Sequence, residues 1–554
     1  MTVQPVPERL TLRPPDVVMR LARMGAAFPT RLSFTRSLVR RMGRERWSMS
    51  RPIWAIDADG VGRAAYRVAT PHGIFGLAAF SQNLTPTART DRVIAEAWDA
   101  SFALTVGEAT PDVLDRLAAQ VPLQEAGRFS ADELVLSRAN RSVRLFEHVV
   151  ERLAAGRQPD AWRLAEVGYL MRTTAVYGNG KFGIADRPRL HDGPVLEHPF
   201  QAEMLTVYLI RHFTLDLADH MAARRSGGRA VPLDRALRRG LGIGNATGLG
   251  MAPFLVGHPQ LVHRWFLARE TAIARVRALP TATPATRARF AAVLARAHAH
   301  VARWRTDNPG LRGRLDGLGR ELASVALPDG ERPWHRLMAT VEATGSLDLQ
   351  ELVASLILEP HGDGVDDLEG TMASPEAVVT DPTMPIGRLR ALIDQAYGWA
   401  LGYDFARPDA QHLFWYASEE KLEPRLGERW TEPGAKLETR IGVAREVQAL
   451  RRALEGQPDA SVAAFLLAHP EHRHWVARVQ SLASLDYAEI RDNLLDRSCL
   501  PIDILRCKLA FFGASRFDPK SDRWVRVTLF QGAPLADEFG HADADDWAFA
   551  ATPA

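Results

Sequence analysis

The sequence predicts a mainly α-helical protein with a helical core that carries a small antiparallel β-sheet (α+β). Three observations lead there. Apolar residues recur at helical spacing over most of the 554 positions. Strand-like patterning is confined to residues 52 to 107 and to a short run at 524 to 530, and no constant period indicates a solenoid. With 46% hydrophobic and 24% charged residues, the chain has ample apolar side chains for packed cores and is not largely disordered. No stretch approaches the ~20 consecutive apolar residues of a spanning helix. Residues 1 to 15 are polar and proline-bearing, without a secretory core, so the expectation is a cytoplasmic protein with no membrane span. Cys499 and Cys507 are too few for a disulfide framework or a cysteine zinc site.

Taken in order, Val17, Val18, Leu21, Met24, Phe34, Leu38 and Met42 stand at helical spacing among arginines. They read as a docked helix pair with solvated guanidiniums, although an Arg-rich, Ser-containing segment also fits a transit peptide or a helix on an anionic surface. Residues 1 to 51 hold eleven Arg against Glu8, Asp16 and Glu45, whereas 535 to 547 hold five acids and no Lys or Arg, so the two ends are complementary. The runs between 52 and 107, separated by Asp59-Gly60, Pro71-His72-Gly73 and Pro86, predict an antiparallel meander. Ser130 and Glu133 have capping-box spacing and predict a helix to about 155, stopped by Gly156; Asp160 begins another to about 176. A long amphipathic helix follows Pro199 and ends at Gly227-Gly228, and Arg-rich helices fill about 259–278, 285–306 and 332–358. Turn formers cluster at 359–385, a loop or boundary, and further helices follow. Residues 524–530 form a short strand that could join the N-terminal sheet, ahead of a poorly structured acidic tail. These readings divide the chain into 1–128, with basic helices and the sheet; 129–358, a central helical domain; 359–385, the boundary; and 386–554, a C-terminal helical region.

Five lysines stand against 64 arginines, a codon bias that suggests a GC-rich bacterial genome. The net charge of +3 is too small to imply a polyanionic partner, so nucleic acid is not expected. Phosphate-loop, dinucleotide-fingerprint, zincin, EF-hand and nucleophile-elbow patterns are all missing, which leaves the cofactor unknown and the reaction open among elimination, decarboxylation, isomerisation and a redox step with a bound cofactor. Two glycine-rich stretches remain. In the first, Arg172 and Tyr177 precede Gly178-Asn179-Gly180-Lys181-Phe182-Gly183. Glycines permit close backbone approach to an anion, with Lys181 as point charge, Asn179 and Gly180 as orienting groups and Tyr177 as a proton carrier. The alternative is a glycine-terminated helix followed by a surface loop. The second runs from 240 to 253 with five glycines in eleven residues; Asn245 and Thr247 are its only polar side chains, and it reads as a buried loop wrapped around a ligand or as close helix packing. His258 then precedes Pro259 at a helix start, a favourable place for a carboxylate or phosphate.

The expected function is therefore an enzyme acting on a small anionic or acyl-type substrate in a pocket between central helices. Lys181, Tyr177 and His258 are its candidate catalytic residues, and Arg172, Asn179, Gly180, Asn245 and Thr247 its substrate-binding residues. No metal site is assigned, since Glu203, Asp216, His220 and the histidines at 469 to 474 fit solvated helix faces as well. A chain of this length with several amphipathic helices often self-associates, so a homo-oligomer is compatible with it. The rival expectation is a helical interaction protein whose basic N-terminus docks on an anionic partner, nucleic acid or a membrane surface.

Overall fold

The computed structural model describes residues 10–85, 87–88, 97–120, 132–174, 196, 200–248, 258–304, 306, 309–372, 379–406, 415–417, 424–426, 436–438, 442–457, 460–490, 506, 510–519, 524–541 and 544–550. Twelve strands occur among them: β1 (Ser48–Ile56), β2 (Gly62–Thr70), β3 (Gly73–Ser81), β4 (Ala100–Val106), β5 (Glu133–Arg141), β6 (Tyr169–Thr173), β7 (Gly242–Gly248), β8 (Trp415–Ala417), β9 (Pro424–Leu426), β10 (Lys436–Glu438), β11 (Arg516–Pro519) and β12 (Trp524–Leu529). Nine of them make one sheet in the order β1-β2-β3-β4-β5-β6-β7-β12-β11, and β10-β8-β9 make a second, short one. Neighbours in the large sheet are antiparallel except β6 and β7, which run parallel.

The expected small antiparallel sheet is thus overturned by a nine-stranded mixed one. The meander at 52–107 is present, but three segments read as helix or loop are strands. β5 replaces the helix expected from Ser130, because eight of its nine residues are buried and the polar alternation that identifies a strand is lost. β6 follows Gly168, whose φ of +81° ends the helix opened by Asp160 at Val167 instead of 176. β7 is the first half of the second glycine stretch. The strand at 524–529 joins the same sheet as the N-terminal strands, beside β7 and far from β1.

The helices are α1 (Pro15–Val18), α2 (Leu21–Met24), α3 (Phe34–Arg44), α4 (Pro111–Gln120), α5 (Phe146–Ala154), α6 (Ala161–Val167), α7 (Gln201–Arg225), α8 (Arg235–Gly240), α9 (Pro259–Ala278), α10 (Pro284–Arg303), α11 (Pro309–Leu322), α12 (Pro333–Thr344), α13 (Leu347–Leu356), α14 (Gly362–Val365), α15 (Ile386–Leu401), α16 (Val443–Ala453), α17 (Val462–Ala468) and α18 (Arg473–Leu482). Helical turns at 359–372 bury Leu368 and Met372 where a loop was expected. α7 lies across one face of the large sheet and is not amphipathic: residues 201 to 211 are buried without interruption. Phe102 of β4 meets Phe213 edge-on at 5.3 Å between ring centroids. On the opposite sheet face α4 covers Ala65, Ala78, Ala103 and Leu136. The main hydrophobic core draws residues from Val18 to Met372 and again from Tyr487 to Phe549, whereas α15 to α18 enclose a core of their own.

A helix buried all round must satisfy its polar side chains internally, and Arg211 does so with backbone oxygens. Its Nε donates to Leu241 O (2.7 Å), Nη1 to Pro534 O (3.4 Å), and Nη2 to the carbonyls of Arg238 (3.2 Å), Arg239 (3.0 Å) and Ala533 (3.0 Å). Burial without a carboxylate lowers its pKa to about 10, which leaves it charged at neutral pH.

Arg13, Arg31, Arg36 and Arg41 are buried, contrary to expectation, whereas Arg20, Arg44, Arg46 and Arg51 are exposed. Arg13 forks onto Glu270 (2.7 and 2.8 Å) and also reaches Glu351 (2.8 Å), which takes further bonds from Arg23 (2.6 Å) and Arg269 (2.5 Å). Arg31 forks onto Asp366 at 2.7 Å, Arg36 binds Glu359 at 3.0 Å, and Arg40 pairs with Glu369. Asp545 pairs with Arg31, Arg36 and Arg40, so the acidic end does meet the basic one, within one chain.

Replacing Arg211 by Met should lower unfolding free energy by on the order of 3 kcal/mol or more, because several buried carbonyls lose a charged donor. Arg67→Met, which removes an exposed pair with Glu108, should cost less than about 1 kcal/mol. Denaturant unfolding of both variants tests the contrast, and equal losses would contradict it. A second expectation concerns acid. Burial alone would raise the Glu351 carboxyl, but Arg13, Arg269 and Arg23 outweigh it and hold it well below the usual range; Arg36, Arg40 and Arg31 do the same for Asp545. A depressed carboxylate stabilises the fold above its unfolded pKa of roughly 4 and loses that contribution as pH falls toward its folded value. The denaturation midpoint should accordingly stay level between about pH 7 and 5 and drop below about pH 4, with a shallower drop in Glu351→Gln.

Candidate functional site

β6 and β7 are the parallel neighbours of the large sheet, and a parallel connection needs a crossover, here supplied by α7 and α8. Arg211 pins Leu241, the residue just before β7, to α7. Across the pair, Tyr169 faces Gly242, Arg172 faces Gly244 and Thr173 faces Asn245. Because the strands are parallel, both run toward the same sheet edge, and each is followed in sequence by glycines: 178, 180 and 183 after β6, and 248 and 250 at and beyond the end of β7. Ligands of open α/β sheets settle at such carboxyl edges, where strand order or direction switches.

Directly paired residues share a sheet face, so the register sorts the side chains into two sets. On the α7 side, Ser137 Oγ lies 2.6 Å from Thr173 Oγ1, and Asn245 Nδ2 donates to Thr173 O at 2.9 Å. Asn245 is fully buried, and its Oδ1 has no hydrogen-bond partner. The opposite side carries Asn140, Arg172, Gly244 and Thr528 in one cross-strand row. One pleat nearer the edge, Arg526 is opposite Ala246, and Arg138 exchanges bonds with Thr174: its N–H donates to Thr174 Oγ1 (3.1 Å) and its carbonyl accepts from Thr174 N (2.9 Å). Arg138, Arg172 and Arg526 therefore stand around a strand that presents Gly244, Ala246 and Gly248 between them. Arg172 and Arg526 are two strand spacings apart, roughly 10 Å.

The small residues have a steric reason. A Cβ on Gly244 would come within 2.8 Å of the Tyr169 ring. Asp518 on β11 is opposite Arg526 and supplies a carboxylate to this face, and Arg138 also stacks over Trp98, 5.7 Å from the ring centroid. Planar guanidiniums suit carboxylate or phosphate oxygens.

Of the residues expected at the site, Arg172 and Asn245 are brought to adjacent strands but onto opposite faces. Thr247 pairs with Val525 in the backbone ladder, its side chain outside the described residues. His258 is half-buried at the start of α9, its side chain not capping the helix. Tyr177, Asn179, Gly180 and Lys181 lie outside the described residues. Residues 242–248 of the second glycine stretch are a paired strand and not a loop. Arg138 and Arg526 escaped sequence reasoning; the alternation Val525, Arg526, Val527 is a signal that sets Arg526 apart from its apolar neighbours, but nothing local sets it near Arg172. Among the described residues no cluster of three metal-type ligands occurs, and no helix is long and apolar enough to cross a membrane.

Gly244→Ala should force Tyr169 off the strand, destabilising the protein by about 1 to 3 kcal/mol. The paired change Gly244→Ala with Tyr169→Leu should recover a large part of that loss in urea melts; no recovery would show that the ring is not the constraint. Comparison of the chain with models of known protein families, with curated proteins and with solved structures finds no match in any of the three.

Proposed function

We propose that this protein is an enzyme that binds a small anionic substrate, of carboxylate or phosphate type, at the carboxyl edge of β6 and β7 on the face away from α7. One observation carries the reading: the register sets Arg138, Arg172 and Arg526 around the small-residue strand β7. Guanidiniums would hold the anion in forked hydrogen bonds. Tyr177 and His258 keep their proposed role in moving a proton, and Lys181 its role as a point charge toward the anion, on the strength of their sequence position after these strands. The rival reading, docking of a basic N-terminus on a polyanion, loses support because Arg13, Arg31, Arg36 and Arg40 are already held by carboxylates of the same chain.

Calorimetric titration with inorganic phosphate and with malonate tests the proposal. Arg172→Gln and Arg526→Gln should each weaken binding roughly 10- to 100-fold, the loss expected for a charge-assisted hydrogen bond. Lys181→Met should weaken it as well, in protein whose melting temperature is unchanged. Wild-type affinity in all three variants would remove this edge as the binding site.

A further inference from the structure

A separate cavity of about 290 Å³ lies between the second half of α10, the end of α6 and β11. Its volume is at the lower limit of ligand pockets, which suits a compact molecule. Three guanidiniums line it, Arg296, Arg303 and Arg516, together with His300, Trp304 and Gln531, and none of its described lining residues is acidic. Ala295 and Ala299, one helical turn apart on α10, keep the space open.

The state of each group is set by its contacts. Both Nη atoms of Arg516 donate to backbone, to Glu166 O and Ala165 O at the last turn of α6, and no carboxylate among the described residues forms a salt bridge with it. Burial accordingly lowers its pKa. Arg296 is partly neutralised by Asp546 and donates through Nε to Ala548 O at 3.2 Å. His300 Nε2 bonds to Ser515 O, and since a carbonyl only accepts, Nε2 carries the proton and Nδ1 is the acceptor nitrogen of the neutral ring. Burial, with Arg516 and Arg303 nearby, takes the His300 pKa to about 4. Gln531 Oε1 accepts from Ser515 Oγ at 2.7 Å, which orients its amide. Trp304 is only 8% exposed, and its indole Nε1–H is buried without an acceptor. An indole donor in that position ordinarily finds a partner.

We propose that this cavity is a second binding site, for a compact carboxylate or phosphate, in which Arg303 and Arg516 neutralise the anion and Trp304 Nε1–H donates to one of its oxygens. The positive charge of Arg516, which no described carboxylate pairs, favours an anion in a partly enclosed hollow, and the unsatisfied indole N–H is matched by an oxygen acceptor rather than by hydrocarbon. The site lies at the opposite end of β6 from Thr173, next to Gly168, so it stands independently of the strand-edge proposal.

The test uses the full chain labelled with ¹⁵N, with Trp304→Phe identifying the Trp304 indole resonance by its disappearance. Titration with inorganic phosphate and, separately, with malonate should shift that resonance saturably; a response to only one of them assigns the anion class. Calorimetry should show Trp304→Phe weakening that binding about tenfold and Arg303→Gln weakening it by at least as much, with Arg172→Gln and Arg526→Gln leaving it unchanged. Arg303→Gln is preferred to Arg516→Gln, whose loss would also free the end of α6, and melting curves check that both variants fold. No saturable shift with either anion at about 20 mM would overturn the proposal. So would anion binding that Arg172→Gln abolishes and Trp304→Phe leaves intact.

Discussion

The architecture rests on the way a single buried cation is satisfied. Arg211 sits in the middle of a helix with no access to water, where an unpaired guanidinium would be prohibitively costly, and it is matched by backbone carbonyls drawn from three places: the end of α8, the residue preceding β7, and the C-terminal segment at 533–534. Those are the points at which the crossover must close. Tyr208, one turn earlier, adds a bond to Pro534 O at 2.8 Å. The position of β7 beside β6, and with it the candidate site, follows from where these carbonyls are held.

The N-terminal segment obeys the same rule with different partners. Arg13, Arg31, Arg36 and Arg40 are held by carboxylates carried by α9, α13, the helical turns at 359–372 and the chain's last described segment. Buried pairs of this kind contribute little net stability over apolar packing, since desolvation offsets much of the attraction, but they enforce register strongly because a mismatched charge has nowhere to go. They tie residues more than 500 positions apart, as Arg36 to Asp545 shows.

Both anion sites lie toward the sheet face away from α7. Where α7 packs, the sheet presents Phe102, Ala139 and Ile243; past the cover of α4, the opposite face turns polar, with Asn140, Arg172, Arg526 and Arg516. Parts of this were legible in advance. The glycine stretches were recognised as segments needing close backbone approach, and Arg172 was singled out beside the first. The strand at 242–248 was not legible, because a glycine-rich run is read as a loop unless one knows that a tyrosine ring lies against it. Pairing Arg172 with Asn245 as co-ligands failed for a related reason: which residues share a face depends on register, and register belongs to two strands at once.

What the sequence by itself determined is local. Helix starts and stops at Pro259, Pro284 and Gly227, the meander at 52–107 and the strand at 524–529 are written in short-range patterning and turn chemistry, as is the charge complementarity of the two ends. Tertiary structure decided what local patterning cannot encode: that β5 and β6 are strands buried on both faces, where alternation disappears, and that 242–248 is a paired strand; that α7 is central instead of amphipathic; and that Arg13, Arg31, Arg36 and Arg41 are enclosed. In each case the energy that settles the conformation comes from desolvation against distant residues, and an isolated window of sequence holds only one side of that contact.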